Sequence, residues 1–290
     1  MKKFWKKVGF LGLTVLPVGV SLIGQFLASL IVMLLYSMFV AFRAGMSGMR
    51  DPEQLQQLVS GAMMDSLPAG ILTYHLAAVV IFGIWYYFGC GRPKFQSPAR
   101  VFNLRNILVT TIMGLAMCLA ANAMVLAATY VVPGVIEAYM EMAEAAGLGT
   151  DALTIIASVL VGPVGEEILC RGITFHYAGK VVCGMRNQKA AFWIANSLQA
   201  LMFGVMHANL VQGTYAFFLG LCLGWLTHRY RSLYPAILAH MIVNFASTFL
   251  ADPFFSLIPE NFIMYLFVLF VGTVIILAAV FWDREKALKQ

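Results

Sequence analysis

Apolar residues fall into eight long blocks separated by shorter polar segments. They run roughly from Val8 to Phe42, Ala69 to Cys90, Ile107 to Val132, Ala152 to Gly179, Ala190 to Met206, Leu210 to Thr227, Leu233 to Ala251 and Phe262 to Trp282. A helix that crosses a hydrocarbon core needs about 20 mostly apolar residues. Barrel strands would instead alternate over shorter stretches, so these continuous blocks predict eight transmembrane α-helices. The first block is long enough to tilt or to begin as an interfacial helix, and Pro17 could kink it. Between the first two blocks, Asp51-Pro52 reads as a helix start. Leu55, Leu58, Val59 and Met63 then give an apolar stripe, which predicts an interfacial packing helix.

Composition agrees with this pattern. Of 290 residues, 61% are hydrophobic and 11% charged, with a mean hydropathy of +0.84. Soluble domains carry roughly a quarter charged residues, so a soluble globular fold is excluded, as are disordered and disulfide-stapled secreted classes. The five cysteines, Cys90, Cys118, Cys170, Cys183 and Cys222, are scattered without a CxxC pair and read as buried thiols. The net charge of +6 would suit nucleic acid, but its placement points to topology instead. If alternate segments lie on one side, that side collects 16 of the 19 basic residues: Lys2, Lys3, Lys6, Lys7, Arg92, Lys94, Arg100, Arg105, Lys180, Arg186, Lys189, Arg229, Arg231, Arg284, Lys286 and Lys289. The positive-inside rule then puts both termini in the cytoplasm. The N-terminal lysines and apolar stretch mimic a signal peptide, but the stretch is too long and lacks an A-x-A site, so it reads as a first span. The expectation is an all-α membrane protein, one domain over residues 1–290, in a bacterial cell membrane, with lipids as neighbours and no nucleic-acid partner.

Within the spans, the ionisable residues other than His are Glu166, Glu167 and Arg171. Each costs about 2.5 to 3.5 kcal/mol to insert, so such a cluster marks a functional site by default. Glu167 and Arg171 are i and i+4, on one helix face, which suits an ion pair. Glu166 is rotated about 100° from Glu167 and meets a different neighbour. That asymmetry suits one supporting and one reacting carboxylate. Two further polar pairs lie downstream, Phe203 with His207 and His240 with Asn244. His240 and Asn244 are again i and i+4 and could aim two donors at one point, as an oxyanion site requires. A base, an orienting His and a donor pair are the parts for carbonyl hydrolysis by activated water. His75, His176 and His228 read instead as helix-packing histidines.

Taken in order, Glu166-Glu167-x-x-x-Arg171, Phe203-x-x-x-His207 and His240-x-x-x-Asn244 resemble the CPBP family. That family comprises CAAX prenyl endopeptidases of the Ras-converting type and bacteriocin-processing or immunity (Abi) proteins. The likeness covers about residues 152 to 251. It implies an eight-helix intramembrane endopeptidase acting on a membrane-associated or lipidated peptide or protein. Glu166 and His207 would activate water, His240 and Asn244 would form the oxyanion site, and Glu167 and Arg171 would support them. No cofactor is favoured. If zinc were used, Glu166, His207 and His240 would be its ligands, with water in the open position.

Two other readings stay open: a non-catalytic immunity or scaffold protein that binds a peptide at these groups, and an ion-coupled transporter using the glutamates. Geometry adds one demand. His207 ends its span on the outer side, while His240 lies about 10 Å from the inner end of its own. For the two to meet, either the span ends lie elsewhere or the fifth span stops short inside the membrane and lines a water-filled cavity, which Gly204 and the shortness of that span favour.

Overall fold

The computed structural model describes residues 1–91, 98–145 and 151–287, and no strand occurs among them. The chain runs α1 (Lys2–Met46), α2 (Pro52–Asp65), α3 (Leu67–Gly89), α4 (Pro98–Val101), α5 (Leu104–Ala128) and α6 (Pro133–Ala145). A composite rod follows, made of α7 (Ala152–Ile155), π1 (Ile156–Val161), α8 (Gly162–Glu167), π2 (Ile168–Thr174) and α9 (Phe175–Val181). After it come α10 (Gln188–Met206), α11 (Leu210–Tyr230), α12 (Tyr234–Phe249), α13 (Ala251–Phe255) and α14 (Phe262–Ala287). The basic residues Arg92, Lys94 and Lys289 lie outside the described residues.

Among the described residues, six stretches are long and apolar enough to cross a bilayer: Lys3–Met46, Pro52–Gly89, Leu104–Ala128, Ala152–Val181, Leu210–Tyr230 and Phe262–Asp283. The protein is an all-α polytopic membrane protein. The two remaining helices expected as spans, α10 and α12, fall short of that measure. The 16 residues of α12 reach about 24 Å against a hydrocarbon core of about 30 Å. The face that α10 buries carries the amides Asn196 and Gln199. These two short or polar helices carry His207, His240 and Asn244. By contrast α1, with 45 residues, is about 67 Å long and holds Pro17 inside it. It must tilt or extend beyond the bilayer.

Local signals place several helix ends. Asp51 caps α2 by accepting from the amide of Glu53, as the Asp-Pro pair predicts. Asp151 starts the composite rod by accepting from the amides of Leu153 and Thr154 and from the Thr154 hydroxyl. Partial burial raises the Asp151 carboxyl, but these hydrogen bonds outweigh it and hold the group below the usual carboxylate range.

Helix directions follow from which residues meet. A Cβ at Gly162 would stand 3.0 Å from the His75 ring, and one at Gly165 would stand 3.5 Å from Val79. At Gly172 the nearest atom would be on Tyr86, at 3.1 Å. So α3 runs parallel to the composite rod. Likewise Phe102 meets Tyr234, Gly114 meets Ala239 and Ile242, and Asn122 donates to the Ser247 hydroxyl at 3.1 Å, which makes α5 and α12 parallel. Gly204 meets Gly213, Gly220 meets Ala200 and Gly224 meets Asn196, so α10 and α11 form a tight antiparallel hairpin. These directions are the ones an alternating eight-crossing path requires.

Two expectations are corrected. Cys183 is exposed rather than buried, because it lies beside Gly184 in the turn after α9, and Cys222 is half-buried. The histidines read as packing through hydrogen bonds do so by other means. His228 lies 4.2 Å from Phe192, centroid to centroid, while His75 Nδ1 and His176 Nε2 are buried with no partner among the described residues.

Candidate active site

Both glutamates lie where the composite rod departs from regular α-helix, with π1 before them and π2 after them. Pro163 accounts for the first departure. In π1 the Gly162 amide donates to Ala157 O, an i→i+5 bond. In that register the next carbonyl, Ser158 O, would accept from residue 163, and proline has no N–H to give. Asn244 Nδ2, from α12, donates to Ser158 O at 2.8 Å. Widened helical turns of this kind concentrate at functional sites.

Glu167 is fully buried and Arg171 nearly so. Arg171 Nη1 donates to Glu167 Oε1 at 2.8 Å, the i, i+4 pair expected from the spacing. The same Oε1 accepts from His240 Nδ1 at 2.9 Å. A carboxylate can only accept, so the proton sits on Nδ1 and His240 Nε2 is left to face the site. Glu166, expected to meet a different neighbour, instead lies against the other ring nitrogen of the same imidazole. Its Oε2 lies 3.7 Å from His240 Nε2, and its side chain keeps 19% of its exposure. One carboxylate is thus locked by a cation and an imidazole while the other is open to a small molecule.

His207 follows the last residue of α10, and its Nδ1 donates to Phe203 O at 2.8 Å. A carbonyl cannot donate, so Nε2 of neutral His207 is a free acceptor. The turn beyond it is three residues long, with Ala208 at φ 51°, before α11 begins. The close Gly204 and Gly213 contact makes this turn possible, because a Cβ at Gly204 would stand 2.6 Å from Gly213 O.

Phe203 joins these groups. Its ring is 1% exposed, and Arg171 Cζ lies 4.2 Å from its centroid. The rings of His207 and His240 meet it edge-on at 4.9 and 5.6 Å. α10 ends at Met206, and His207 just beyond it and the mid-helix His240 flank one aromatic ring. All six expected residues are therefore placed around one core, but Asn244 reaches backbone rather than a second side chain. The sequence motif carries Phe203 without a role, and the spacing of an aromatic four residues before a histidine is the signal for the ring contact seen here.

Sequence reasoning missed His75. It lies against Gly162, one helical turn before Glu166, and the charge of Glu166 acts on it as well as on His240 and His207. No feature of the α3 sequence sets it apart from other membrane histidines, since its neighbourhood arises only when α3 packs on the rod. Among the described residues, no group of three or more His, Cys, Asp or Glu side chains is arranged to hold a metal ion.

Residues 148–246 match the family model described as type II CAAX prenyl endopeptidase Rce1-like. All six residues fall inside that match. The segment is an Rce1-like domain. Over 92 residues the chain is 30% identical to the "Putative membrane peptidase YdiL" of Bacillus subtilis (strain 168), covering 32% of this chain and 34% of that protein. The chain thus spans about a third of the length of the curated relative it matches. No solved structure matches. The Rce1-like domain comprises the composite rod, α10, α11 and most of α12, whereas His75 on α3 approaches it from outside.

Proposed function

We propose that this protein is an intramembrane endopeptidase that hydrolyses a peptide bond in a membrane-associated or lipidated substrate of the CAAX type, without a metal. The unequal environment of the two glutamates carries this reading. Glu167 is held through its Oε1 by both Arg171 and His240, while Glu166 keeps part of its exposure and lies 3.7 Å from His240 Nε2.

Glu166 accepts a proton from a water molecule, and His207 Nε2 accepts the second O–H and orients it. The oxygen attacks the peptide carbonyl carbon. A second proton on His240 would balance the charges of Glu166, Glu167 and Arg171 within the site, and its Nε2–H then donates to the developing oxyanion. Asn244, with one amide hydrogen on Ser158 O, has its other hydrogen left to share that load. Glu166 returns its proton to the departing amine as the C–N bond breaks, which leaves a carboxylic acid and a new amine, and the acid then gives its proton to water or the amine.

The test uses the full chain in nanodiscs and a fluorogenic farnesylated peptide ending in a CAAX sequence. Glu166→Gln and His207→Ala each lower cleavage by about 10²-fold or more, the range of a general base, with unfolding midpoints near that of the unaltered protein. Unchanged cleavage by either variant refutes the reading. EDTA or phenanthroline leaves the rate unchanged, and a loss that zinc restores would overturn the metal-free form.

A further inference from the structure

Asn244 stands one turn beyond His240 on α12, but its partner is a backbone carbonyl on another helix. Ser158 O is an orphan for a covalent reason, since the donor its register calls for is Pro163. A buried carbonyl without a partner is costly, and in a membrane no bulk water is at hand to supply one. The Asn244 amide meets it at 2.8 Å. That bond spans two elements. It ties α12 to the rod two turns before Glu166, while the His240 bond to Glu167 ties the same helices at 2.9 Å further along. Two separated attachments fix both the distance and the rotation of α12 against the rod, and therefore the aim of His240 Nε2 at Glu166.

We propose that Asn244 is a positioning residue that stands in for the N–H that Pro163 lacks and so holds His240 in register with Glu166. The inference rests on the hydrolytic reading for its catalytic consequence but not for its structural one. Pro163 and Asn244 form a single device. The proline opens the helix ahead of the glutamates, and the asparagine supplies the donor that the opening removes.

Asn244→Leu keeps the γ-branched shape of the side chain, at a larger volume, and removes the donor. In the full chain in nanodiscs it lowers the unfolding midpoint by roughly 2–4 °C, the shift expected for one unsatisfied buried group in a domain of this size. Pro163→Ala supplies an N–H at residue 163. In that background Asn244→Leu lowers the midpoint by less than half as much. With the farnesylated CAAX peptide, at a temperature well below every midpoint, Asn244→Leu alone lowers kcat about tenfold at unchanged KM, and adding Pro163→Ala recovers the part of that loss that comes from positioning. An equal midpoint drop in both backgrounds, or a kcat loss that Pro163→Ala leaves untouched, overturns the assignment. The second result would make Asn244 solely an oxyanion donor. Where Pro163→Ala does not fold, Pro163→Gly supplies the same N–H. Where neither folds, the single variant decides, and an unchanged midpoint for Asn244→Leu refutes the clamp. The midpoints need no substrate, so a protein that cleaves nothing would refute the endopeptidase reading while leaving this coupling to be judged on its own.

Discussion

The ring of Phe203 touches Arg171, His207 and His240, and its backbone carbonyl fixes the His207 tautomer. A guanidinium stacked on a desolvated ring gains about 2 kcal/mol, and each edge-on aromatic pair about 0.5–1.5 kcal/mol. Phe203→Leu keeps an apolar side chain but loses all three contacts. It is expected to lower kcat by about 10- to 100-fold with little change in KM, since 1.4 to 2.7 kcal/mol of the barrier corresponds to roughly that range. Arg171→Lys keeps the charge beside Glu167 but not the planar stack, so a smaller loss is expected. Activity equal to the parent in Phe203→Leu would show that the ring is filler. At this scale the sequence was informative where the contact is local. Glu167 and Arg171 sit i, i+4, and the rotation of Glu166 away from that pair follows from helix geometry alone. His75 and Ser158 O were invisible because both become relevant only through neighbours from distant parts of the chain.

The α10 and α11 hairpin depends on glycine at the points of closest approach. Beyond Gly204, a Cβ at Gly224 would stand 1.9 Å from Asn196 Oδ1. Asn196 and Gln199, both fully buried, donate across this seam to Leu221 O at 3.0 Å and Gly220 O at 2.9 Å. The seam is therefore backbone against backbone, bridged by amides, as small-residue helix packing in membranes allows. Gly204→Ala pushes against Gly213 O, which cannot rotate away. It is expected to cost roughly 1–3 kcal/mol and to displace His207, seen as a lowered unfolding midpoint together with reduced cleavage. Gly179→Ala on α9 is the control. Nothing lies within 4 Å of its would-be Cβ, so helix propensity alone operates and the midpoint holds or rises. If both variants behave alike, close approach is not what Gly204 provides. The expectation that the fifth span stops short could be formed from His207, Gly204 and the length of that block. The π turns could not, because Pro163 signals a break in a helix without signalling which hydrogen-bond register replaces it.

Charge alternation along the chain does not set Asp283 apart from the other charges near the C-terminus, whereas the molecule buries it completely. Arg105 Nη2, at the start of α5, donates to its Oδ1 at 2.7 Å, and Arg229, near the end of α11, donates to its Oδ2. Both arginines also donate to Asp283 O at 3.1 Å. One carboxylate thus gathers the ends of α5, α11 and α14 at the basic side of the protein, a convergence that no local pattern encodes. The arginines are about a quarter exposed, so water screens each of them and the latch is weaker than a buried pair. Removing the acid leaves two cations facing each other, while removing one arginine leaves the other still paired. Asp283→Asn is therefore expected to cost more stability than Arg105→Gln or Arg229→Gln, by roughly 1–3 kcal/mol against under about 1 kcal/mol. Raised salt should narrow that gap by screening the two arginines from each other. None of the three touches Glu166 or His207, and cleavage measured well below the lowest midpoint should stay within about twofold of the parent, the range of a perturbation that leaves the transition state's contacts intact. The ordering of the three midpoints is the measurement that decides. If either arginine variant proves the most damaging, the cluster is not organised around Asp283, and α14 is held by its apolar packing on α5 rather than by a charged latch at its end.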